Sequence, residues 1–247
     1  MIKGLVSVVL PTTGRKDRAV ASIQRLLKSV KKPIEVVCPI DSDIESRDAI
    51  RSLFENWLEE HPNWAMDRSF SMISYSDQYR GIGKSFNDGL RLSRGEYVVP
   101  ASDDVWFEDG WLEAAMREMR KLPKGGGLVA LNDTHHNGAE LATLFLASQW
   151  FICEHMNGVL FFECYRYWHS DIEATARAKR AGRYAWAKDA IVRHDHWAWG
   201  TRQEDDTDRM NKKFLDEATG ICARRRQEGW PNDFEPIIKW EDESQPS

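Results

Sequence analysis

Gly95-Glu96-Tyr97-Val98-Val99-Pro100-Ala101-Ser102-Asp103-Asp104-Val105-Trp106 opens as a short apolar run and closes on two adjacent carboxylates. Tyr97 to Val99 reads as a buried strand. Two acids at the end of a buried strand are costly unless their charge is compensated. A divalent cation is the usual compensator, because hard cations take carboxylate oxygens. In an open α/β sheet, ligands collect at the carboxyl ends of the strands. The stretch therefore reads as strand, metal site, loop. A second reading has Asp103 and Asp104 capping a helix that starts near Asp109-Gly110-Trp111, since acids favour helix N-termini. This stretch alone does not separate the two.

The flanking sequence supplies a parallel sheet. Leu5 to Leu10 is a Val-rich run bounded by Gly4 and Pro11, a buried strand. Ala19 to Val30 has apolar residues at Val20, Ile23, Leu26, Leu27 and Val30, which is helical spacing. Ile34 to Ile40 is a second strand running into Asp41-Ser42-Asp43. Strand, helix and strand within some forty residues make a βαβ unit. Further helices are expected over Asp48 to Glu60, Gly81 to Leu92 and Trp111 to Leu122, with strands over Phe70 to Tyr75 and Leu128 to Leu131. From Asn132 to Tyr167 the pattern is aromatic and irregular. Asp171 to Gly182 reads as a helix, Ile191 to His196 as a short strand, and Thr201 to Glu228 as a charged helix or helix pair. Pro231 to Ser247 reads as an acidic extended tail.

Composition narrows the function classes. The chain has 247 residues, 42% of them hydrophobic, with 11 Trp and a formal net charge of −5. That charge gives no broad footprint for nucleic acid, although the Arg224-Arg225-Arg226 run leaves a local one. Cys38, Cys153, Cys164 and Cys222 show no Cys-x-x-Cys spacing, which implies buried thiols in a reducing compartment and no zinc site or disulfide framework. The apolar N-terminus lacks a small-residue cleavage site and is explained by the first strand. Leu141 to Ile152 is too short to span a bilayer. A cytoplasmic location is the expectation.

Five pieces in order resemble the family 2 glycosyltransferases of the GT-A fold. Val6-Ser7-Val8-Val9-Leu10-Pro11-Thr12 with Arg15 is similar to the opening strand. Val36-Val37-Cys38-Pro39-Ile40-Asp41-Ser42-Asp43 is similar to the second strand with its nucleotide-facing aspartate. Gly83-Lys84-Ser85-Phe86-Asn87-Asp88-Gly89-Leu90 resembles the helix carrying Asn-x-Gly, and Gly95 to Val99 followed by Ser102-Asp103-Asp104 resembles the strand delivering Asp-x-Asp. The resemblance covers about residues 4 to 122 and departs at Ser102, where the family has the first acid. It implies a GT-A-like, Rossmann-like, mostly parallel sheet flanked by helices, with an elaborated aromatic-rich C-terminal part. It also implies a nucleotide-sugar donor and a divalent cation, Mn²⁺ or Mg²⁺. Residues 1–122 would be the nucleotide-sugar half, 123–200 the acceptor and catalytic half, and 201–247 a charged extension.

On that reading Pro11, Thr12, Arg15, Asp41, Lys84, Ser102 and Asp103 line the donor, and Asp104 holds the metal. Arg15 and Lys84 suit phosphate, and Asp41 a ribose or base donor. A histidine completes the shell, His194 slightly ahead of His196; strand alternation would put both on one face. His135-His136 sits in a polar loop and reads as surface. Asp171 is the expected base for the acceptor hydroxyl, with Glu173 in reserve; helix capping is the alternative for Asp171. One such carboxylate with a metal fits an inverting transferase. The aromatic segment Trp150 to Trp168, with Trp197 and Trp199, would form the acceptor side, though most of it reads as core. The acceptor itself stays open among a glycan, a small molecule, a protein and a hydroxylated base in DNA. A nucleotidyltransferase would need a glycine-rich basic loop after the first strand, and Pro11 to Arg15 has one glycine. A non-catalytic nucleotide- or glycan-binding module is the other alternative, invited by Ser102. Gly81-Ile82-Gly83-Lys84-Ser85 lacks Walker spacing.

Overall fold

The computed structural model describes residues 1–32, 34–62 and 71–240. Four strands on one side of its sheet are parallel: β1 (Ile2–Val9), β2 (Glu35–Asp41), β3 (Ser71–Ser76) and β4 (Gly95–Pro100). β5 (Val105–Phe107), β6 (Leu128–Asn132), β7 (Phe145–Ser148) and β8 (Tyr184–His194) complete one eight-stranded sheet, ordered β3-β2-β1-β4-β7-β6-β8-β5. β7 runs antiparallel to β4 and β6, β8 runs parallel to β6, and β5 runs antiparallel to β8.

Strand alternation gives each face its own core. Val6, Val8, Leu10, Val36, Cys38, Ile40, Tyr97 and Val99 point to one face and pack with Ile23 and Leu26 of α1 (Lys16–Ser29), Ile50 and Phe54 of α2 (Ile44–Glu60), and Trp111 and Met119 of α4 (Trp111–Met119). Val9, Val37 and Val98 point to the other, against Phe86 and Leu90 of α3 (Ile82–Leu92), Phe151 of α5 (Gln149–His155), Ala174 of α6 (Ser170–Arg180) and Cys222 of α8 (Leu215–Gln227). Near-continuous apolar strands are what a sheet covered on both faces requires. The short α7 (Asp206–Lys212) precedes α8.

The structure adds elements that the pattern does not disclose. The apolar segment Leu141 to Ile152 divides into the end of a loop, β7 and the start of α5. β5 is three residues long, and β8 is eleven residues where a short strand was expected. Phe70 of the expected third strand, Pro33, and residues 241–247 of the tail lie outside the described residues. Up to Trp240 the tail lies on the body: the amides of Ile237 and Ile238 donate to the Gly158 carbonyl. Cys38 and Cys222 are buried, Cys153 and Cys164 half-buried, and all four are free. Burial pushes the Cys38 thiol up.

Glu173 is not brought to the site. It is fully buried on α6, where its carboxylate accepts from Arg177 Nη2 at 2.9 Å, Arg225 Nε at 2.8 Å and the Tyr165 hydroxyl at 3.0 Å. Arg225 also binds Asp233 at 2.7 Å, so one carboxylate joins α6, α8 and the C-terminal segment. Removing one member of such a buried network strands the others. Glu173→Ala is expected to lower unfolding free energy by about 3 to 5 kcal/mol in chemical denaturation.

Candidate active site

The carboxyl ends of β1, β2 and β4 lie side by side, because all three strands run the same way. A cleft opens above them, lined by Pro11, Thr12, Arg15, Asp41, Ser102 and Asp103, with Tyr79, Ser85 and Tyr167. Thr207 and Asn211 of α7 roof it. Its free volume is small, about 40 Å³. Asp41 accepts from Arg80 Nη2 at 2.7 Å, from the Arg80 amide at 3.0 Å and from the Ser85 hydroxyl at 2.9 Å. Lys84 is outside the cleft wall; its ammonium meets Asp88 at 3.3 Å on the helix surface.

Asp103 and Asp104 do not cap a helix. The residue capping α4 is Gly110, in the left-handed conformation, with no side-chain cap. Both acids are buried instead, and cations surround them. Asp103 accepts from the Thr12 hydroxyl at 2.7 Å and from Arg15 Nη1 at 3.0 Å. Asp104 accepts from the Ser102 hydroxyl at 2.6 Å, lies 3.3 Å from His194 Nε2, and meets Arg202 Nη2 at 3.3 Å. Arg15 and Arg202 are both shared with Asp208, and Arg15 with Asp205 at 2.9 Å. Asp205 and Asp208 form the capping box of α7, so the helix over the cleft is tied to the carboxylate pair through two guanidiniums.

The charges of the pair are unequal. Burial raises the Asp104 carboxyl, but hydrogen bonds from His194 and Ser102 and the Arg15 charge more than offset it, leaving it well below the usual range. Burial pushes Asp103 up; Arg15 pulls it back and Asp104 adds to the rise, for a value of about 6. Burial lowers His194 and the Asp104 carboxylate raises it, with a net rise above the ordinary imidazole value.

Asp104 and His194 have the spacing of neighbouring ligands. Two ligands each about 2.1 Å from an octahedral ion stand about 3 Å apart. The other ring nitrogen, His194 Nδ1, is buried without a hydrogen-bond partner among the described groups. No cluster of three or more ligating side chains exists among the described residues. Together Asp104 and His194 would supply two ligands to such an ion. His196 stands beside His194, their ring centroids 5.1 Å apart, but only His194 meets Asp104. β8 ends at His194, and His196 begins the next turn, its Nδ1 accepting from the Ala198 amide at 3.3 Å. Burial lowers His196 to about 4.

A second cavity adjoins the cleft at Ile82, Ser102 and Tyr167, which line both. It measures about 480 Å³, and Asp104, His194, His196 and Asp171 all contribute to its wall. Asp171 lies in the first turn of α6, after the capping residue His169; its Oδ1 accepts from the Ile172 amide at 2.9 Å. Burial raises its carboxyl above the ordinary value. The His135-His136 loop is not merely surface: His136 reaches the same cavity, and its Nδ1 is 2.5 Å from the buried Asp133. The sequence pattern also passed over Arg80, Arg202, Asp205 and Asp208. Their partners lie far away in the chain, and on a helix surface such charges read as solvated.

The Glycosyl transferase family 2 model matches residues 7–186. The chain belongs to that family. No curated protein matches the sequence. Among solved structures, a mannosyltransferase from Pyrobaculum calidifontis in complex with GDP-Man and Mn²⁺ aligns with TM-score 0.59 and 15% identity, covering 90% of this chain and 75% of that one. Glucosyl-3-phosphoglycerate synthase from Mycobacterium tuberculosis, in complex with Mn²⁺, UDP and glucosyl-3-phosphoglycerate, aligns with TM-score 0.61 and 12% identity, covering 93% and 81%. TarS from S. aureus, residues 1–349 with UDP-GlcNAc, aligns with TM-score 0.56 and 15% identity, covering 76% and 57%. At these identities the likeness is one of fold, and it establishes the glycosyltransferase GT-A architecture for this transferase. Among the described residues no helix is long and apolar enough to cross a membrane.

The tether between α7 and the carboxylate pair makes a testable demand on this glycosyl transferase. Asp208 is buried between Arg15 and Arg202. Asp208→Ala strands two buried guanidiniums, and chemical denaturation should show a loss of about 3 kcal/mol or more.

Proposed function

We propose that the protein transfers a sugar from a nucleotide-sugar to an acceptor hydroxyl, with inversion and with help from a divalent cation. The observation that supports this most is the shared wall. One cavity is lined by Asp104, His194 and Asp171 together, and it joins the cleft lined by Thr12, Arg15, Asp41 and Asp103. Family membership supports sugar transfer in general. The Mn²⁺ and nucleotide complexes of the structural neighbours support the donor class and the cation.

The roles follow from position. Asp41 and its partners Arg80 and Ser85 form the floor that a nucleoside would meet. Arg15 and Arg202 stand beside the carboxylate pair, where a diphosphate would gain two cations. A cation held by Asp104 and His194 would neutralise charge on the leaving diphosphate. Asp171 takes the proton of the acceptor hydroxyl as its oxygen bonds to the anomeric carbon. The bond from that carbon to the diphosphate oxygen breaks, and the nucleoside diphosphate leaves with the electron pair. A single displacement of this kind inverts the anomeric carbon.

Asp171 must be ionised to act, and its carboxyl lies above the ordinary aspartate value. Activity should therefore fall as pH drops through that raised value, which lies above the ordinary aspartate value of about 3.9. Nucleoside diphosphate release would be assayed over a UDP-, GDP-, CMP- and dTDP-sugar panel with Mn²⁺ and candidate acceptors. Asp171→Asn should lose roughly 10² to 10⁴ in kcat while still binding the donor. An Asp171→Asn enzyme with full activity would remove the base assignment. No turnover and no binding of any sugar nucleotide would leave a non-catalytic module on the same fold.

A further inference from the structure

The cavity beside the carboxylate pair also bears on which acceptor is used. Its volume of about 480 Å³ is in the range of small-molecule sites. Its walls are mainly apolar, with Phe86, Leu141, Phe161, Trp168, Ile172 and Trp199 among them. No Lys or Arg stands among the described residues lining it. Arg15 stands in the wall of the narrow cleft, and Arg202, which meets Asp104, is itself held by Asp208.

Two groups on this wall, Asp171 and His136, can accept hydrogen bonds from a ligand. Asp171 takes one bond, from the Ile172 amide, and has lone pairs left for a ligand. His136 is fixed by Asp133, which is 1% exposed. Asp133 accepts from the amides of His135 and His136 at 2.9 and 2.7 Å, from the Thr143 hydroxyl at 2.6 Å, and from His136 Nδ1. In the neutral ring the proton therefore sits on Nδ1, and Nε2 is left as an acceptor. Trp199 packs on this pair, its ring centroid 5.1 Å from His135 and 4.9 Å from His136, and remains 44% exposed.

A phosphate or carboxylate placed here would face Asp171 with no lysine or arginine in the cavity wall to balance the charge, since Arg15 and Arg202 are engaged by Asp103, Asp104, Asp205 and Asp208. A hydroxylated neutral ring meets none of that repulsion. Its faces match Trp168 and Trp199, and its hydroxyls can donate to Asp171 and His136. Resting on the transferase reading above, we infer that the acceptor is a neutral molecule whose hydroxyl is carried on an apolar ring. His136, oriented by Asp133, positions that hydroxyl beside Asp171.

The test is ligand binding to the full chain without donor, followed by saturation-transfer NMR. The probes are phenyl β-D-glucoside and 4-nitrobenzyl alcohol as neutral rings, and glucose 6-phosphate and 3-phosphoglycerate as anions, at equal concentration. The neutral rings should receive saturation, and the anions should not. Trp199→Ala, at a partly exposed position, should weaken the neutral probes by roughly fivefold. Leu141→Arg, which places a cation in the wall, should shift preference toward the anions. Anions binding as well as the neutral rings, or neither neutral ring binding, would overturn the inference. So would ring binding unaffected by both variants. Ring binding that persists while no nucleotide-sugar binds would sink the donor reading and leave this one standing.

Discussion

Two adjacent buried carboxylates must be compensated, and the rest of the structure is arranged around that requirement. Asp103 and Asp104 sit at the end of the fourth parallel strand, where the sheet opens. In this structure the compensation comes from Arg15, contributed by the loop after the first strand, and from Arg202, contributed by the C-terminal third. Asp205 and Asp208 then balance those guanidiniums and bring α7 over the cleft. An ion pair so deeply buried is weak evidence for net stability, because desolvation consumes much of its Coulomb gain.

That arrangement explains why the donor cleft is narrow here. Thr207 and Asn211 form its roof, and the Thr207 hydroxyl donates to the Thr13 carbonyl at 3.3 Å. Asn211 is held from two sides: its side chain accepts from Tyr79 at 2.7 Å, and its carbonyl accepts from Trp168 at 3.1 Å. Trp168 belongs to the acceptor wall and Tyr79 to the nucleotide wall. The roof thus touches both halves of the site, and a diphosphate entering the cleft would compete with Asp205 and Asp208 for the same guanidiniums.

The first half of the fold was legible because its strands are consecutive, apolar and joined by helices of clear period. The carboxylate pair was legible for the same reason, as charge at the end of an apolar run. Legibility fell where contacts became long-range. β5 and β7 are too short for a periodic signal, and Leu141 to Ile152 hides a strand-to-helix change inside one apolar segment. Asp208 looks like a solvated helix charge until the chain folds back nearly two hundred residues onto Arg15, and Arg202 does until it meets Asp104. Asp171 and Glu173 show how little separation suffices. Two residues apart on one helix, they point to different surroundings, one into the cavity and one into a buried arginine cluster. His194 and His196 stay neighbours, their ring centroids 5.1 Å apart, although the strand ends between them.

The account stands or falls on the carboxylate pair acting with a cation on a nucleotide. Calorimetric titration of UDP and GDP into the protein, with and without Mn²⁺, in the wild type and in Asp104→Asn, measures this directly. The account predicts that one nucleotide binds, that Mn²⁺ strengthens its binding at least tenfold, about 1.4 kcal/mol of coupling, and that Asp104→Asn removes the coupling. Binding that is indifferent to Mn²⁺ and unchanged in Asp104→Asn would contradict it.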